Sequence, residues 1–492
     1  MSRTSRTSRT SRTRSDGSTS RTRSDGSTAP RTAVALFTSD LRVHDQPVLR
    51  AALRDADEVV PLFVLDDGVR AAGFAAPNRR AFLADCLADL DAELRDRGGR
   101  LVVRTGAVVE EVARVVTETG ARAVHVAGGA SGYAAHREER LRTALARARC
   151  ELTVHDAVVT VLAPGAQTPA GSDKDHFAVF TPYHRRWEAA GTRAVVAAPR
   201  TVRVPERVAS DRLPSRAAIG STSPALATGG ERTARKRLNS WLSDTASGIE
   251  AYEARHDDLP GDATSRLSPY FHFGCLSPVE AVHRARRKGG TGAEAFVRQL
   301  AWRDFHHQVL AARPAASWSN YRDRNDRWRS APEEIAAWKA GLTGYPVVDA
   351  AMRQLAHEGW MHNRGRLLVA AFLTKTLYVD WRVGARHFLS LLVDGDVANN
   401  QLNWQWAAGT GTDTRPNRLL NPLTQAKRFD PQGDYVRRWV PELADLAGPA
   451  VHQPWRLEAR VRARFAYPAP IVDLAEGRTR FERARAISPS GV

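Results

Sequence analysis

The chain of 492 residues is long enough for several domains with sizeable buried cores. Its 72 basic and 54 acidic residues leave a net charge of +18, which favours a polyanionic partner, nucleic acid first, although an arginine-rich composition alone produces the same excess. The three cysteines are far apart in the sequence and form no C-x-x-C pair, which argues against a disulfide framework and against a zinc site.

No apolar run approaches the length of a membrane span, and no signal-peptide hydrophobic region follows the start. We therefore expect a cytoplasmic protein that does not enter a membrane. Residues 1–30 repeat the letters SRT and RSDGST and hold seven arginines. Nothing in them can build a core, so we expect a disordered Arg/Ser/Thr-rich tail.

From Arg31 onward short apolar runs alternate with helical patterns. The runs are AVALF (33–37), EVVPLFVL (58–65), RLVVR (100–104), AVHVAG (123–128) and ELTVHDA (151–157), and the helical patterns cover 46–55, 78–97, 107–119 and 134–149. This alternation predicts a doubly wound parallel α/β domain over 31–162. The glycines after the fourth run have the wrong spacing for a dinucleotide fingerprint and indicate a tight turn.

Residues 163–230 are rich in Pro, Gly, Ala, Ser and Thr and indicate a long interdomain connector. Beyond it the strand signal disappears, and eleven of the twelve tryptophans lie at or after Trp241. We predict an all-α domain over 231–475 and a short C-terminal tail over 476–492.

The segment GDATSRLSPYFHFG (261–274) runs from a loop with hydroxyl groups into a helix start. Ser268 is expected to be the N-cap and Pro269 the first helical residue. Such a loop can hold an anion such as a pyrophosphate, but an ordinary capped helix explains the same letters.

The segment FVRQLAWRDFHHQVL (296–310) places an amide, an indole and an imidazole along one helical stripe, which is poor core material. Adjacent His306 and His307 point apart on a helix, and no further ligand aligns with them, so we expect no metal site. In GWMHNRGRLLVAAFL (359–373) basic residues crowd a helix start, where the helix dipole disfavours them. A nearby anion would offset this, and Asp394 is a candidate.

The stretch DGDVANNQLNWQW (394–406) fails the calcium-loop pattern, because it lacks the glycine at the sixth position and the closing glutamate. On a helix, Trp404 and Trp406 project about 200° apart. One indole can then face a ligand while the other faces the interior, and indoles both stack on bases and relay electrons.

Taken together, these segments resemble the DNA photolyase and cryptochrome family from about Arg31 to Val472. The matching segments, in chain order, are FTSDLRVHDQPVL, TSRLSPYFHFG, WRDF, TGYPVVDAAMRQLAHEGWMHNR and NWQWAAGTGTD. The resemblance extends to class I cyclobutane pyrimidine dimer photolyases of actinomycete type. It implies an α/β antenna domain followed by a helical FAD domain.

The resemblance also implies a set of FAD-binding residues, with Arg366 pairing Asp394 beside the flavin ring and Asn400 opposite flavin N5. The implied set is Tyr252, Thr264, Ser265, Arg266, Leu267, Ser268, Trp302, Arg303, Asn363, Arg366, Asp394, Gly395, Asp396 and Asn400. A neutral amide at Asn400 cannot protonate the flavin, which favours the fully reduced anion, FADH⁻.

Three tryptophans match the family's electron-transfer chain, namely Trp328, Trp381 and Trp404, which we call the tryptophan row. Trp302 and Trp406 match residues that flank the flipped-out dimer, and Gln299 is counted with the catalytic residues. The implied DNA-binding residues are Gln299, Trp302, Arg303, His306, Asn363, Arg364, Arg366, Trp406 and Gln425.

The function implied is light-driven repair by a deoxyribodipyrimidine photo-lyase, a carbon–carbon lyase. Photoexcited reduced FAD donates one electron to a dimer flipped out of UV-damaged DNA, the cyclobutane ring splits, and the electron returns. A second, antenna chromophore is expected to be 8-hydroxy-5-deazaflavin, with methenyltetrahydrofolate as the alternative. We further expect a monomer associated with the nucleoid.

The sequence departs from the family at Gln299, and also at Leu367, His256 and Ser39. Gln299 stands where most dimer photolyases carry Glu, so this side chain can hydrogen-bond a thymine edge but supplies no charge. The acid-catalysis histidine pair of (6-4) photolyases is not matched, because those positions are Asn363 and Leu367. A cryptochrome-like photoreceptor that binds FAD without repair stays open as the alternative.

Overall fold

The computed structural model describes residues 30–171 and 173–486. The tail predicted for residues 1–30 thus lies almost wholly outside the described residues. The first part of the fold is a five-stranded sheet in the order β3-β2-β1-β4-β5, and every pair is parallel. The strands are β1 Thr32–Phe37, β2 Glu58–Asp66, β3 Val102–Gly106, β4 Ala123–Ala127 and β5 Glu151–His155.

The central strand β1 is apolar on both faces, as a parallel sheet covered by helices requires. Val34 lies beside Val60 and Val124 and packs into the cluster on one face. Ala33 and Phe37 pack into the cluster on the other face, which continues into the helical part of the chain. The sheet therefore shares a core with the helices that follow.

Helices connect the strands. They are α1 Pro47–Asp55, α2 Asp67–Ala71, α3 Pro77–Arg95, α4 Val108–Thr119 and α5 Gly132–Arg147. The glycine-rich segment after β4 is a turn that leads into α5, with Ser131 as the N-cap that accepts a bond from the Ala134 amide. The predicted doubly wound parallel architecture is confirmed, and the third strand lies two residues later than its predicted position.

The connector contains one helix that the sequence analysis missed, α6 Phe180–Ala190. Its buried residues Phe180, Tyr183 and Trp187 pack into the large shared core. Trp187 donates its indole hydrogen to Asp304, 3.0 Å away. The helix is stabilised by this tertiary packing, which short local periodicity in a Pro/Gly-rich segment does not reveal.

The second part of the fold is helical. Within the described residues its α-helices are α7 Glu231–Ser243, α8 Tyr252–Arg255, α9 Ser268–His272, α10 Pro278–Lys288, α11 Thr291–Ala312, α12 Pro332–Ala340, α13 Pro346–Glu358, α14 Asn363–Ala371, α15 Trp381–Leu391, α16 Val397–Ala408, α17 Pro422–Phe429, α18 Asp434–Trp439, α19 Ala459–Arg462 and α20 Leu474–Ala484. A π-helical turn, Phe372–Thr376, extends α14.

The prediction of a C-terminal tail from residue 476 is wrong for the part that is described. Those residues belong to α20, whose Phe481 is fully buried and whose Gly477 packs against Thr376 of the π-helical turn. Burial of an aromatic side chain offsets the entropy of ordering this short polar helix.

Buried polar groups join the sheet to the helices. Asp304 of α11 accepts hydrogen bonds from the amides of Val161 and Leu162. Arg42, 1% exposed, donates to the carbonyls of Val158 and Gly274. These bonds fix α11, and with it the residues described below, relative to the sheet.

Among the described residues, no helix is both long enough and apolar enough to cross a membrane.

Candidate functional site

The start of α14 forms an ion pair with the segment before α16. A guanidinium nitrogen of Arg366 lies 2.8 Å from an Asp394 carboxylate oxygen, and its Nε donates to the Met361 carbonyl. Arg364, the other basic residue of this turn, pairs with Asp257. Carboxylates therefore offset the charge of both arginines, as the sequence predicts for Asp394.

Asp396 caps α16 and also joins it to α11. Its Oδ1 accepts the backbone hydrogen of Asn399, and its Oδ2 lies 3.0 Å from Nε2 of His307. Burial alone would raise the pKa of this carboxyl, but His307 and Arg303 outweigh burial and hold that pKa well below its usual value. Asp396 is thus a fixed negative charge.

His306 is buried beside the same cap. Its Nδ1 lies 3.0 Å from the Asn399 Oδ1, and its side chain is 4% exposed. Burial lowers the pKa of His306 to about 4, so the imidazole is neutral near pH 7. It supplies no positive charge to a DNA phosphate, and a contact with DNA at this position stays a prediction.

The loop before α9 contains an unpaired hydroxyl. Thr264 Oγ1 is buried and has no hydrogen-bond partner among the described residues. Arg266 follows with a left-handed φ of 50°, pairs with Asp262 and Glu358, and lies 4.3 Å above the Trp360 ring. A buried hydroxyl without a partner suits a polar ligand atom such as a phosphate oxygen.

The prediction that Ser268 caps this helix is wrong. Leu267 occupies the cap position without a side-chain bond, and Ser268 is the first helical residue. The Ser268 hydroxyl instead accepts the indole hydrogen of Trp360 at 3.1 Å. The cap pattern was misleading because a tertiary partner, 92 residues away, satisfies the hydroxyl.

Three further residues of the predicted FAD set contact neighbouring side chains. Tyr252 is buried against Trp241 and Phe296. The Ser265 carbonyl accepts a hydrogen bond from Arg237 at 2.7 Å. A methyl group added at Gly395 would lie 2.7 Å from the guanidinium of Arg79, so the backbone approaches that side chain closely.

Asn400 lies one turn into α16 and is 9% exposed. Its amide nitrogen donates to the Ala385 carbonyl at 3.2 Å and to the Gln401 side chain at 3.0 Å. These two bonds fix the orientation of the amide and connect α16 to α15.

The tryptophan row lies in one hydrophobic cluster, which spans α12 to α16 and the last helices. Trp404 and Trp381 are buried, at 2% and 0% exposure, whereas Trp328 is partly exposed. The ring of Trp328 lies 4.9 Å from that of Tyr378, and Trp404 packs directly on Gly384. Within this cluster Trp381 and Trp404 therefore lie in the interior, and Trp328 lies nearer the surface.

The two expected lesion-side tryptophans are half-buried. Trp302 stacks on Phe180, with the ring centres 3.7 Å apart and the planes 6° from parallel. Trp406 lies under Arg418, whose guanidinium carbon is 5.6 Å from the ring centre. Trp404 faces the interior while Trp406 is half-exposed, so the two indoles point in different directions, as the helical spacing predicts.

The other expected DNA-binding residues differ in exposure. Gln299 and Asn363 are exposed, and Gln425 is half-exposed. Arg303 instead turns toward the protein, donating to the carbonyls of Val159 and Phe271. Gln299 and Arg303 lie on α11, Asn363 is the first residue of α14, and Gln425 lies on α17.

Two residues near the site were missed by the sequence analysis. Phe180 belongs to the i, i+3, i+7 pattern of α6, which was visible in the letters but lay in a segment assigned as connector. Arg79 of α3 donates to the carbonyls of Leu389 and Leu392. Burial lowers the pKa of Arg79 to about 10, and the nearby Asp394 carboxylate only partly offsets this effect. Contacts across more than 300 residues leave no local signal.

In the described part of the chain, no group of three or more histidine, cysteine or carboxylate side chains is arranged to hold a metal ion.

Comparisons with known proteins address the family of this chain. A family profile described as "DNA photolyase" matches residues 33–204, and one described as "FAD binding domain of DNA photolyase" matches residues 296–486. A Streptomyces griseus protein named deoxyribodipyrimidine photo-lyase is 70% identical over 92% of this chain and 99% of its own length.

Solved structures share the fold. A bacterial class III photolyase from Agrobacterium tumefaciens superposes with a TM-score of 0.86 at 31% identity, over 94% of this chain and 99% of that one. An archaeal photolyase from Sulfolobus tokodaii, solved with two FAD molecules, superposes with a TM-score of 0.81 at 30% identity, over 93% of this chain and 100% of that one. The 70% identity over 92% of the chain, together with the two matched family profiles, places this chain in the DNA photolyase family.

Proposed function

We propose that this protein is a deoxyribodipyrimidine photo-lyase, which uses light to split cyclobutane pyrimidine dimers in DNA. The observation that carries the proposal is that the Arg366–Asp394 pair, the Asp396 cap and the unpaired Thr264 hydroxyl all belong to the helical part of the chain, which also contains the tryptophan row. The 70% identity to a photo-lyase over most of the chain supports the same activity.

The residues present fit FAD. The unpaired Thr264 hydroxyl and the neighbouring Arg266 would hold the phosphates, while Asp394, Asp396 and Arg366 would orient the ring system. Ser265, Leu267, Ser268, Tyr252 and Gly395 complete the proposed site. Bound FAD in its reduced form supplies a photoexcitable one-electron donor. The fixed, uncharged amide of Asn400 offers the site no acidic proton.

The tryptophan row would conduct electrons between the surface and the site. Trp404 is the buried end and Trp328 the partly exposed end. Trp381, fully buried, has its indole hydrogen fixed by Asn320 at 2.9 Å. An indole held rigidly in the interior is suited to this role, because the groups around it rearrange little when the ring gains or loses charge.

The damaged base would lie against Trp302 and Trp406. Phe180 already covers one face of Trp302, which leaves the opposite face for a base. Gln299, exposed on α11, can donate to and accept from a thymine edge. The basic residues around the site would bind phosphates without reading sequence, and flipping costs least where a dimer has already weakened stacking.

We assign the protein to class I with an 8-hydroxy-5-deazaflavin antenna, on the strength of the actinomycete-type motifs and of the similarity to the Streptomyces protein. The archaeal photolyase solved with two FAD molecules makes a second flavin the competing antenna. Extraction of the native protein and mass spectrometry of its chromophores distinguish a deazaflavin, a folate and a second FAD.

The remaining proposals concern organisation. We propose a cytoplasmic, nucleoid-associated monomer, divided into an antenna domain (31–162), a connector (163–230) and a helical domain from residue 231. The net charge of +18 supports attraction to DNA. Sedimentation with and without duplex DNA tests whether the protein is a monomer.

One experiment tests the activity. The purified, reduced protein is illuminated with an oligonucleotide that contains one cyclobutane thymine dimer, and intact thymines are measured by chromatography. We expect flavin absorption and light-dependent repair. Trp302→Ala should weaken repair, while Trp318→Ala, which removes an indole that is 63% exposed, is the matched control.

A protein without flavin would contradict the proposal. Flavin without repair under reducing conditions would instead indicate the photoreceptor alternative.

A further inference from the structure

A basic cleft lies where α20 packs beside the segment that carries Trp328. Its volume is about 900 Å³, within the range of small-molecule sites. Four arginines and one carboxylate supply its charged lining, namely Arg327, Arg329, Arg480, Arg483 and Glu476. Positive charge therefore dominates the cleft.

Most of this positive charge is not neutralised by the protein. Within the described residues, the side chains of Arg327 and Arg483 make no hydrogen bond or ion pair, and Arg480 donates only to the Thr376 carbonyl, at 3.2 Å. Burial and then repulsion from Arg329 lower the pKa of Arg480. A bound anion would relieve this repulsion.

The cleft is in contact with the exposed end of the tryptophan row. Tyr378 lines the cleft, and its ring lies 4.9 Å from that of Trp328. The Arg329 amide donates to the Tyr378 carbonyl at 3.1 Å, and the Tyr378 hydroxyl donates to Asp326 at 2.8 Å. Tyr378 holds a left-handed φ of 56°, a costly conformation for a non-glycine residue that recurs at functional sites.

We propose that this cleft binds a small anionic one-electron donor, which returns an electron to Trp328. The proposal rests on the proposed function, because Trp328 loses its electron only if the tryptophan row passes that electron inward. In this step the anion is oxidised by one electron, and the Trp328 radical cation is reduced to the neutral indole. No proton is transferred, and no bond between heavy atoms forms or breaks. The arginines raise the local concentration of the anion beside the indole.

Anion binding can be tested without photochemistry. The fluorescence of Trp328 is obtained as the difference between the wild type and Trp328→Phe, and its quenching by iodide is compared with quenching by caesium. We expect the ratio of iodide to caesium quenching to be several-fold higher for Trp328 than for free tryptophan. The double variant Arg327→Gln/Arg483→Gln should remove this preference, because both side chains are exposed and can be neutralised without disturbing the core.

Arg50→Gln, an exposed arginine on α1, is the matched control and should leave the preference intact. A ratio equal to that of free tryptophan, or an unchanged ratio in the double variant, would overturn the cleft as an anion site. Thermal denaturation of each variant verifies that the fold is retained.

The donor role is tested by flash photolysis with ferrocyanide, a tetra-anionic one-electron reductant. The decay rate of oxidised Trp328 should rise with ferrocyanide concentration and saturate, and the double variant should slow it at least fivefold. Reduction by neutral dithiothreitol should be the same in both proteins. A linear, unsaturated dependence that the variant does not change would overturn the donor role.

If the wild type never forms oxidised Trp328, the proposed function of the row fails, and the donor role fails with it. The fluorescence comparison still decides whether the cleft binds anions, so the two failures are distinguishable.

Discussion

The guanidinium of Arg366 lies 2.8 Å from the carboxylate of Asp394, and this pair joins the first turn of α14 to the segment that precedes α16. The Asp394 side chain is 3% exposed and that of Arg366 is 24% exposed. Breaking such a pair leaves a largely desolvated charge, which costs more than the pair itself contributes.

We therefore predict that Arg366→Met lowers the free energy of unfolding by about 3 kcal/mol, as expected when one partner of a buried pair is removed. Arg366→Met/Asp394→Asn should recover most of this loss, because no unpaired charge remains. Urea denaturation measures both values. Neither variant should retain FAD after gel filtration, and a double variant that is no more stable than the single one would contradict the charge argument.

Gly384 on α15 permits the close approach of Trp404. A methyl group at this position would lie 2.1 Å from Cη2 of the indole and 2.7 Å from Cδ2 of Leu373. Gly384→Ala should therefore destabilise the protein by about 2 to 3 kcal/mol through overpacking. Gly220→Ala is the control, since nothing lies within 4 Å of its added methyl group. Similar unfolding midpoints for the two variants would show that the indole can move aside.

Trp328→Phe should slow photoreduction of oxidised FAD at least tenfold, because it removes the exposed end of the tryptophan row. Repair by the enzyme reduced beforehand should be unaffected, since that reaction needs no electron from the surface. Absorbance under blue light measures the first rate, and dimer loss measures the second. Trp439→Phe, a half-buried indole that contacts His357, is the control. Equal photoreduction in the two variants would exclude Trp328 from the row.

We predict that two buried histidines make the protein less stable in acid. Burial lowers the pKa of His306 and His362 to about 4, from 6.5 for an unburied imidazole. Between these values the unfolded chain binds protons that the folded chain does not, so the free energy of unfolding falls as pH falls from 6.5 to 4. Each residue contributes up to about 3 kcal/mol over this window.

Urea denaturation at pH 7.5, 6 and 5 measures this slope. His306→Gln keeps a polar partner for Asn399 and should make the slope shallower, whereas His136→Gln, at an exposed position, should not change it. A slope that is the same in all three proteins would indicate that other groups control acid stability.

The sequence by itself determined most of the elements and their order, with α6 and α20 as exceptions. Short apolar runs predicted all five strands, and the change to helical patterns with clustered indoles predicted the second half of the fold. It also predicted that an acid offsets the basic start of α14, because charge near a helix end is a local property. The family motifs carried the cofactor prediction.

The tertiary structure alone decided which groups meet. The Ser268 hydroxyl accepts from Trp360 instead of capping its own helix, and α6 is held by the stacking of Phe180 on Trp302. Arg79 bonds a carbonyl 313 residues away. Periodicity and caps act over one or two helical turns, whereas these contacts depend on how whole elements pack, so no short stretch of sequence encodes them.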